Sequence, residues 1–113
     1  MPFIRVTTSE KIDDHAEHLM LMELGVSIEC IEGKSEEWLM LDFRGGAKMA
    51  FAGEPGKCAM VEVDLLGEAS DEDKDRLTEN ICNILNFVLE VPTNRIYVRY
   101  LETDSWGHDC HNF

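Results

Sequence analysis

The second residue of the chain, Pro2, is a candidate catalytic base. Removal of Met1 would expose its nitrogen as a secondary amine, and methionine aminopeptidases cut before small residues such as proline. An ordinary α-amino group has a pKa of about 8, and burial or a neighbouring cation lowers it because both disfavour the protonated form. An amine of this kind can take a proton from carbon near neutral pH. The start of the chain therefore predicts a proton-transferring base, with an ordinary chain start as the alternative.

A second group of reactive side chains lies near the carboxyl terminus, where His108, Cys110 and His111 flank Asp109. Imidazole, thiolate and carboxylate are all metal ligands. If these side chains gather with another cysteine or around a symmetry axis, they would form a metal-binding or sensing module. The alternative is a flexible polar tail.

Other cysteines and histidines carry weaker signals. The four cysteines lie far apart without a CxxC pair, so we expect reduced thiols and neither a zinc ribbon nor a redox dithiol. His15 and His18 lie three residues apart on the first predicted helix. No third ligand stands near them in sequence, which favours an exposed polar surface.

The elements that must position these groups form two similar halves, each with a strand, a helix and a strand. The first half has a strand at residues 3–8, a helix that Thr8 or Ser9 would cap and Gly33 would end, and a strand at 38–43 whose apolar run indicates burial on both faces. A short strand around residues 49–51 and a turn at 53–56 join the halves.

The second half has the clearer pattern. A strand is predicted at residues 58–66, a helix capped by Ser70 and stopped by Pro92, and a last strand at 95–101. The helix carries apolar residues in an i, i+4, i+7, i+8, i+11 rhythm, namely Leu77, Ile81, Ile84, Leu85 and Val88.

Two right-handed crossover units of this kind predict an α/β fold in which a four-stranded sheet carries both helices on one face. The strands carry apolar residues on both of their faces, so we expect the sheet face without helices to contact a partner, most simply a further copy of the chain. A length of 113 residues indicates a single domain spanning residues 1–113.

Charge and composition exclude several partners. A net charge of −13 argues against nucleic acid and against anionic lipid. No apolar run reaches membrane-spanning length and no secretory signal is visible, so we expect a cytoplasmic protein. A small anionic substrate would need a locally basic pocket.

Short motifs along the whole chain resemble the macrophage migration inhibitory factor family, which includes phenylpyruvate and dopachrome tautomerases. They are Pro2-Phe3-Ile4, Gly33-Lys34, Met49-Ala50-Phe51, Glu54-Pro55, Leu66-Gly67, Asn94-Arg95-Ile96-Tyr97-Val98, Trp106-Gly107 and Asn112-Phe113. The resemblance implies the tautomerase fold, with a mixed sheet and assembly as a homotrimer. It also implies an isomerase that interconverts the keto and enol forms of a small aromatic 2-keto acid without a cofactor.

The resemblance assigns roles to four residues. Pro2 would be the base, and Lys34 would bind the substrate carboxylate. The backbone of Leu66 would contact substrate, and Tyr97 would reach into the pocket of a neighbouring subunit. Without the resemblance, Lys34 reads as a solvated residue at a helix end and Tyr97 as a packed strand aromatic.

Three residues depart from the family pattern. Arg99 replaces a polar asparagine and could hold a carboxylate bidentately, or instead pair with an acidic neighbour such as Glu102. His108 replaces a large aromatic wall residue, which leaves the substrate preference open. Val61 replaces the second cysteine of a CxxC found in some members, so the oxidoreductase side activity of that motif is not expected.

A competing function from another class is a non-catalytic, cytokine-like binding protein. Members of the family act on receptors and are exported by unconventional routes, so a missing signal peptide does not exclude this role. The retention of Pro2, Lys34 and Tyr97 favours the enzyme.

Overall fold

The computed structural model describes residues 1–113 and contains two helices, eight strands and three 3₁₀ turns. In chain order these are β1 Pro2–Thr8, α1 Asp14–Ser27, β2 Met40–Arg44, β3 Ala50–Phe51, β4 Glu54–Pro55, β5 Ala59–Leu66, α2 Asp71–Leu89, β6 Ile96–Thr103, β7 Gly107–His108 and β8 His111–Asn112. The 3₁₀ turns are Ile28–Cys30, Glu36–Trp38 and Thr93–Arg95. Neither helix combines the length and the apolar character that crossing a membrane would require.

The two halves join into one four-stranded mixed sheet with the order β2-β1-β5-β6. β1 and β2 are parallel, β5 and β6 are parallel, and β1 pairs with β5 in the antiparallel sense. Burial alternates along β1 and β5, so one face of the sheet packs against both helices. The core between them includes Ile4, Val6, Met20, Leu24, Val61, Val63, Leu77, Ile81 and Leu85, all fully buried. The predicted fold, with two crossover units and two helices on one face, is confirmed.

Helix α2 forms where its sequence predicts it. The Ser70 side chain accepts a hydrogen bond from the backbone N–H of Asp73 at 3.1 Å, which satisfies one free donor of the first turn. The helix ends at Leu89, and Glu90 takes a left-handed conformation with φ 58° before Pro92.

Helix α1 begins and ends differently from the prediction. Its cap is Asp13, whose carboxylate accepts from the N–H of Ala16 at 2.8 Å. Thr8 and Ser9 are engaged elsewhere, because the Thr8 hydroxyl donates to the Cys58 carbonyl at 2.8 Å and the Ser9 Oγ accepts from the Cys58 N–H at 3.1 Å. The helix also ends at Ser27, so the prediction that it runs to Gly33 was wrong.

Strand β2 is an edge strand, and the prediction of burial on both faces was wrong for the single chain. Met40 is 66% exposed, whereas Leu41 and Phe43 pack against the core. Trp38, predicted as the first strand residue, lies instead in a 3₁₀ turn.

The sheet face away from the helices, here called the open face, carries a ladder of charges at its centre. Arg5 donates to Asp42 at 2.8 Å and lies 3.9 Å from Glu62, which also accepts from Arg99 at 3.0 Å. Exposed apolar side chains flank this ladder, among them Met40, Tyr97 and Leu101. The prediction of an apolar second face is therefore correct only for its margins, because charged residues occupy its centre.

Two glycines have opposite surroundings. In α1, the three atoms nearest to a Cβ on Gly25 would all belong to the flexible side chain of Glu36. After β2, a Cβ on Gly45 would lie 2.9 Å from the Glu10 carbonyl oxygen and 2.9 Å from the Ile12 backbone nitrogen, neither of which can move freely. Gly45 is therefore required by the close approach of two backbone segments.

Candidate active site

A cavity of about 460 Å³ opens at the amino end of β1. Its walls are mostly aromatic and apolar side chains, with two acidic residues among them. The lining residues are Met1, Pro2, Phe3, Glu37, Trp38, Leu39, Met40, Asp64, Trp106, Gly107 and His108. Two of the predicted site residues, Pro2 and His108, are thus brought together at one cavity.

Lys34 and Leu66 meet beside the amino terminus. The Lys34 ammonium donates to the Leu66 carbonyl at 2.6 Å, and the Leu66 N–H donates to the Met1 carbonyl at 3.1 Å. Lys34 is held by a tight turn, in which Gly33 has φ 81° and the Lys34 N–H donates to the Ile31 carbonyl at 3.0 Å. The positive φ explains why residue 33 is glycine, and the turn fixes the position of Lys34 after it.

The amine at the start of the chain is electrostatically perturbed. Partial burial is the main cause that lowers the pKa of the Met1 amino group from its ordinary 8.0, and the charge of Lys34 and a hydrogen bond with it lower the pKa further. These are the two physical causes that the sequence predicts for an amino-terminal base.

His108 enters the cavity from a small hairpin formed by β7 and β8. The two residues at the tip, Asp109 and Cys110, have φ 49° and 72°, as a tight two-residue turn requires. The His108 ring lies edge-on to Trp38 with ring centroids 5.2 Å apart, and stacks on Phe113 at 6.2 Å. The hairpin therefore makes His108 part of an aromatic wall.

Tyr97 and Arg99 lie on β6, the opposite edge strand, and neither lines this cavity. Tyr97 is 63% exposed and contacts the Phe51 ring edge-on at 5.1 Å. Arg99 pairs with Glu62, so the alternative prediction that it pairs with a carboxylate is confirmed, although the partner is not Glu102, the example given. The Glu102 carboxylate instead binds Lys74 at 2.9 Å.

The side chains considered as metal ligands do not converge. No group of three or more histidine, cysteine, aspartate or glutamate side chains is placed to hold a metal ion. His108 and His111 face each other across the β7–β8 pair, while Cys110 at the tip is exposed. The arrangement with another cysteine of the same chain is therefore wrong, and the arrangement around a symmetry axis stays a prediction.

Several cavity residues have no assigned role in the sequence analysis. Trp38 and Glu37 come from the 3₁₀ turn before β2, and Asp64 comes from the open face of β5, opposite Phe3. For Trp106, the sequence indicated only that it belongs to a motif of the family. The strict alternation of β5 could have placed Asp64 on the open face, but its position beside Pro2 depends on the β1–β5 register.

Comparison with known proteins identifies the family. The sequence model of the family described as macrophage migration inhibitory factor (MIF) matches residues 1–110. The chain belongs to this family. Members are typically oligomeric, and membership supports an isomerase function of the tautomerase type in general terms.

Individual relatives agree with this assignment over nearly the whole chain. The macrophage migration inhibitory factor of Xenopus laevis is 23% identical over 105 residues, which are 93% of this chain and 90% of the relative. The crystal structure of Leishmania major MIF2 superposes with a TM-score of 0.94 at 27% identity, covering 100% of this chain and 97% of that one. The fold also matches Pt0534 inactivated by 2-oxo-3-pentynoate, with a TM-score of 0.78 at 14% identity, covering 89% of this chain and 85% of that one.

Proposed function

We propose that this MIF-family protein is a keto–enol tautomerase of a phenylpyruvate-like 2-keto acid, in which Pro2 becomes the amino-terminal base once Met1 is removed. The observation that carries the proposal is the position of Pro2 in an aromatic cavity at the end of the chain where Lys34 and partial burial lower the pKa of the amino group of Met1. Pro2 lines the same cavity, so its nitrogen, once exposed, would be an amine close to the same apolar walls, which disfavour the protonated form.

The backbone around Met1 supplies a site for the substrate carboxylate. In the unprocessed chain, the Met1 carbonyl oxygen accepts from the Leu66 N–H, next to the Lys34 ammonium. Removal of Met1 releases that N–H, so one neutral donor and one cation flank the same space. A carboxylate oxygen matches both, because charge-assisted hydrogen bonds are the strong ones.

The aromatic walls would then hold the ring of the substrate. With the carboxylate at Lys34, the ring extends between Phe3, Trp38, Trp106 and His108. The carbon beside the ketone lies near the Pro2 nitrogen. Pro2 takes a proton from this carbon, the electron pair moves onto the ketone oxygen, and protonation of that oxygen completes the enol.

Assembly as a homotrimer completes this proposal. Tyr97 lies on an exposed edge strand, away from the cavity of its own chain, so it can serve a neighbouring copy. Arg99 lies on the same strand, and its guanidinium is paired with Glu62. A direct role of Arg99 toward substrate would therefore require it to leave Glu62.

The test is the keto–enol conversion of phenylpyruvate by protein whose lack of Met1 is confirmed by mass spectrometry. We expect Pro2→Gly to lower the activity at least tenfold. An amino-terminally extended parent, in which the Pro2 nitrogen is an amide, should be equally inactive. The pH dependence of kcat/KM should show the titration of the Pro2 amine, which burial in the cavity would move below that of an unperturbed amino terminus. Full activity of the extended protein would refute Pro2 as the base, and inactivity of the processed parent would favour the non-catalytic binding protein.

A further inference from the structure

Two neighbouring rows of side chains cross the open face of the sheet beside the cavity. In the first row, the register places Phe3 of β1 opposite Met40 of β2 and Asp64 of β5, and all three residues line the cavity. The second row is two residues away along each strand, on the same face, and consists of charged side chains. Its members, in the strand order β2-β1-β5-β6, are Asp42, Arg5, Glu62 and Arg99. The charged row therefore borders the wall of the cavity.

Arg5 connects the two rows. Its guanidinium carbon lies over the Phe3 ring, 5.2 Å from the ring centroid, and its Nε donates to Asp42 at 2.8 Å. An aromatic ring attracts a cation over its face, and a charge-assisted hydrogen bond fixes where that cation lies. The guanidinium therefore holds the Phe3 ring from the side of the charged row. Both residues belong to β1, so each copy of the chain has this contact, whatever a neighbouring copy adds at the cavity.

The ion pairs of the charged row do not depend on Arg5. Asp42 also accepts from Arg44 at 3.1 Å, and Glu62 accepts from Arg99 at 3.0 Å, so each carboxylate keeps a cation when Arg5 is removed. At least 25% of each of these side chains is exposed, a setting in which single ion pairs contribute little to stability. Of these three arginines, only Arg5 makes a cation–π contact. The contribution that is particular to Arg5 is therefore its contact with the cavity wall.

We propose that Arg5 is a positioning residue of the site, which fixes the Phe3 ring for packing against the ring of an aromatic substrate. The inference rests on the proposed function, in which Phe3 is one of the walls beside the substrate ring. Successive residues of a strand face opposite sides, so Arg5 shares the open face with Phe3 and not with Pro2. Arg5 therefore acts on the affinity for the substrate and not on the proton transfer at Pro2.

Turnover of phenylpyruvate and binding of phenylacetate test this inference on the processed protein. Both tryptophans of the chain, Trp38 and Trp106, line the cavity, so their fluorescence reports the binding of phenylacetate. The variants are Arg5→Met, Arg5→Lys, Phe3→Leu and the double variant Arg5→Met/Phe3→Leu. Arg44→Met is the matched control, because it removes a cation from the same carboxylate but no ring contact.

The expected effect is limited by the strength of the contact that is lost. A guanidinium over a ring at a partly exposed site corresponds to a factor of about two to five in affinity, so Arg5→Met should raise the KM for phenylpyruvate and the Kd for phenylacetate by about that factor, with kcat unchanged. Arg5→Lys keeps a cation and should recover part of this loss, and Arg44→Met should match the parent. In the Phe3→Leu background, Arg5→Met should have no further effect, because the ring through which Arg5 acts is gone.

Three results would overturn the inference: an unchanged KM and Kd in Arg5→Met, the same rise in the Phe3→Leu background, or an equal rise in Arg44→Met. The proposed enzyme fails in a distinguishable way. A processed parent that does not convert phenylpyruvate, but binds phenylacetate with the expected order among the variants, would reject the enzyme and retain the positioning role of Arg5. A parent that neither binds phenylacetate nor converts phenylpyruvate would reject both.

Discussion

Arg95 holds the segment that links β3, β4 and β5. Its guanidinium donates to four backbone carbonyls, those of Phe51 at 3.2 Å, Glu54 at 2.9 Å, Gly56 at 3.0 Å and Lys57 at 3.0 Å. No other residue type at this position could donate to all four carbonyls, because only the planar guanidinium of arginine carries several N–H donors in a fixed fork. Arg95→Ala should therefore destabilise the protein substantially, although the side chain lies near the surface.

The magnitude follows from the burial of each bond. A hydrogen bond from a charged donor stabilises by about 1.5–3 kcal/mol, and the partly buried bond to Phe51 falls at the lower end of that range. The other three bonds are exposed, so water replaces much of each and roughly 0.5 kcal/mol remains per bond. The expected loss is about 3 kcal/mol, which corresponds to a fall in Tm of at least about 10 °C for a chain of this size.

Thermal unfolding of the parent, Arg95→Ala and Arg95→Lys measures this loss. Lysine keeps the charge but is a compact point donor, so we expect it to recover less than half of the stability. Arg76→Ala is the control, since Arg76 is 59% exposed and makes one ion pair at 3.6 Å; its effect should stay within about 0.5 kcal/mol. A fall in Tm of under 3 °C for Arg95→Ala would refute the reasoning and show that water satisfies the carbonyls equally well.

Three further perturbations have defined outcomes. In urea unfolding, Gly25→Ala should stabilise by about 0.5–1 kcal/mol through helix propensity, whereas Gly45→Ala should destabilise by about 1–3 kcal/mol through overpacking; the same sign for both would contradict the close approach at Gly45. Hydrogen bonds from Lys74 and from the Ala69 N–H hold the pKa of Glu102 below its ordinary 4.5. The contribution of Glu102 to the free energy of unfolding is therefore complete above about pH 4.5 and is lost as the pH falls through the lowered pKa of the folded state. Glu102→Gln should abolish this pH dependence of stability. Burial raises the pKa of Tyr100 from 10.0 to about 12, so the free energy of unfolding should fall as the pH rises from 10 to 12. In a pH titration followed near 295 nm, Tyr100→Phe should remove the phenolate signal that develops last. A parent without this last phase would contradict the burial of Tyr100.

The predictable part of the fold is the part that local interactions determine. The cap at Ser70, the acidic first turn and the apolar rhythm of α2 are all contained in one segment, and the helix forms as predicted. The same holds for β5, whose alternation requires only that one side be buried. Pro2 was a candidate from its position in the chain and Lys34 only from the resemblance, and the fold places the Lys34 ammonium beside the amino terminus.

The unpredicted part depends on contacts between distant segments. Thr8 and Ser9 are good helix caps in isolation, but Cys58 occupies both hydroxyls, and that competition exists only once β1 has paired with β5. The carboxylate of Asp64 reaches the cavity for the same reason, since the register places it opposite Phe3. Neither outcome is visible from spacing along the chain.

Processing of the amino terminus would change the binding chemistry of the site as well as its basicity. The Met1 carbonyl satisfies the Leu66 N–H, so in the unprocessed chain a backbone oxygen occupies the proposed carboxylate site. A backbone donor that loses its partner away from bulk water costs about 1–3 kcal/mol, and a carboxylate that binds there recovers this cost and also gains the charge of Lys34. Removal of one residue would therefore create the base and the carboxylate site together, which explains why an amino-terminal extension should abolish both binding and turnover.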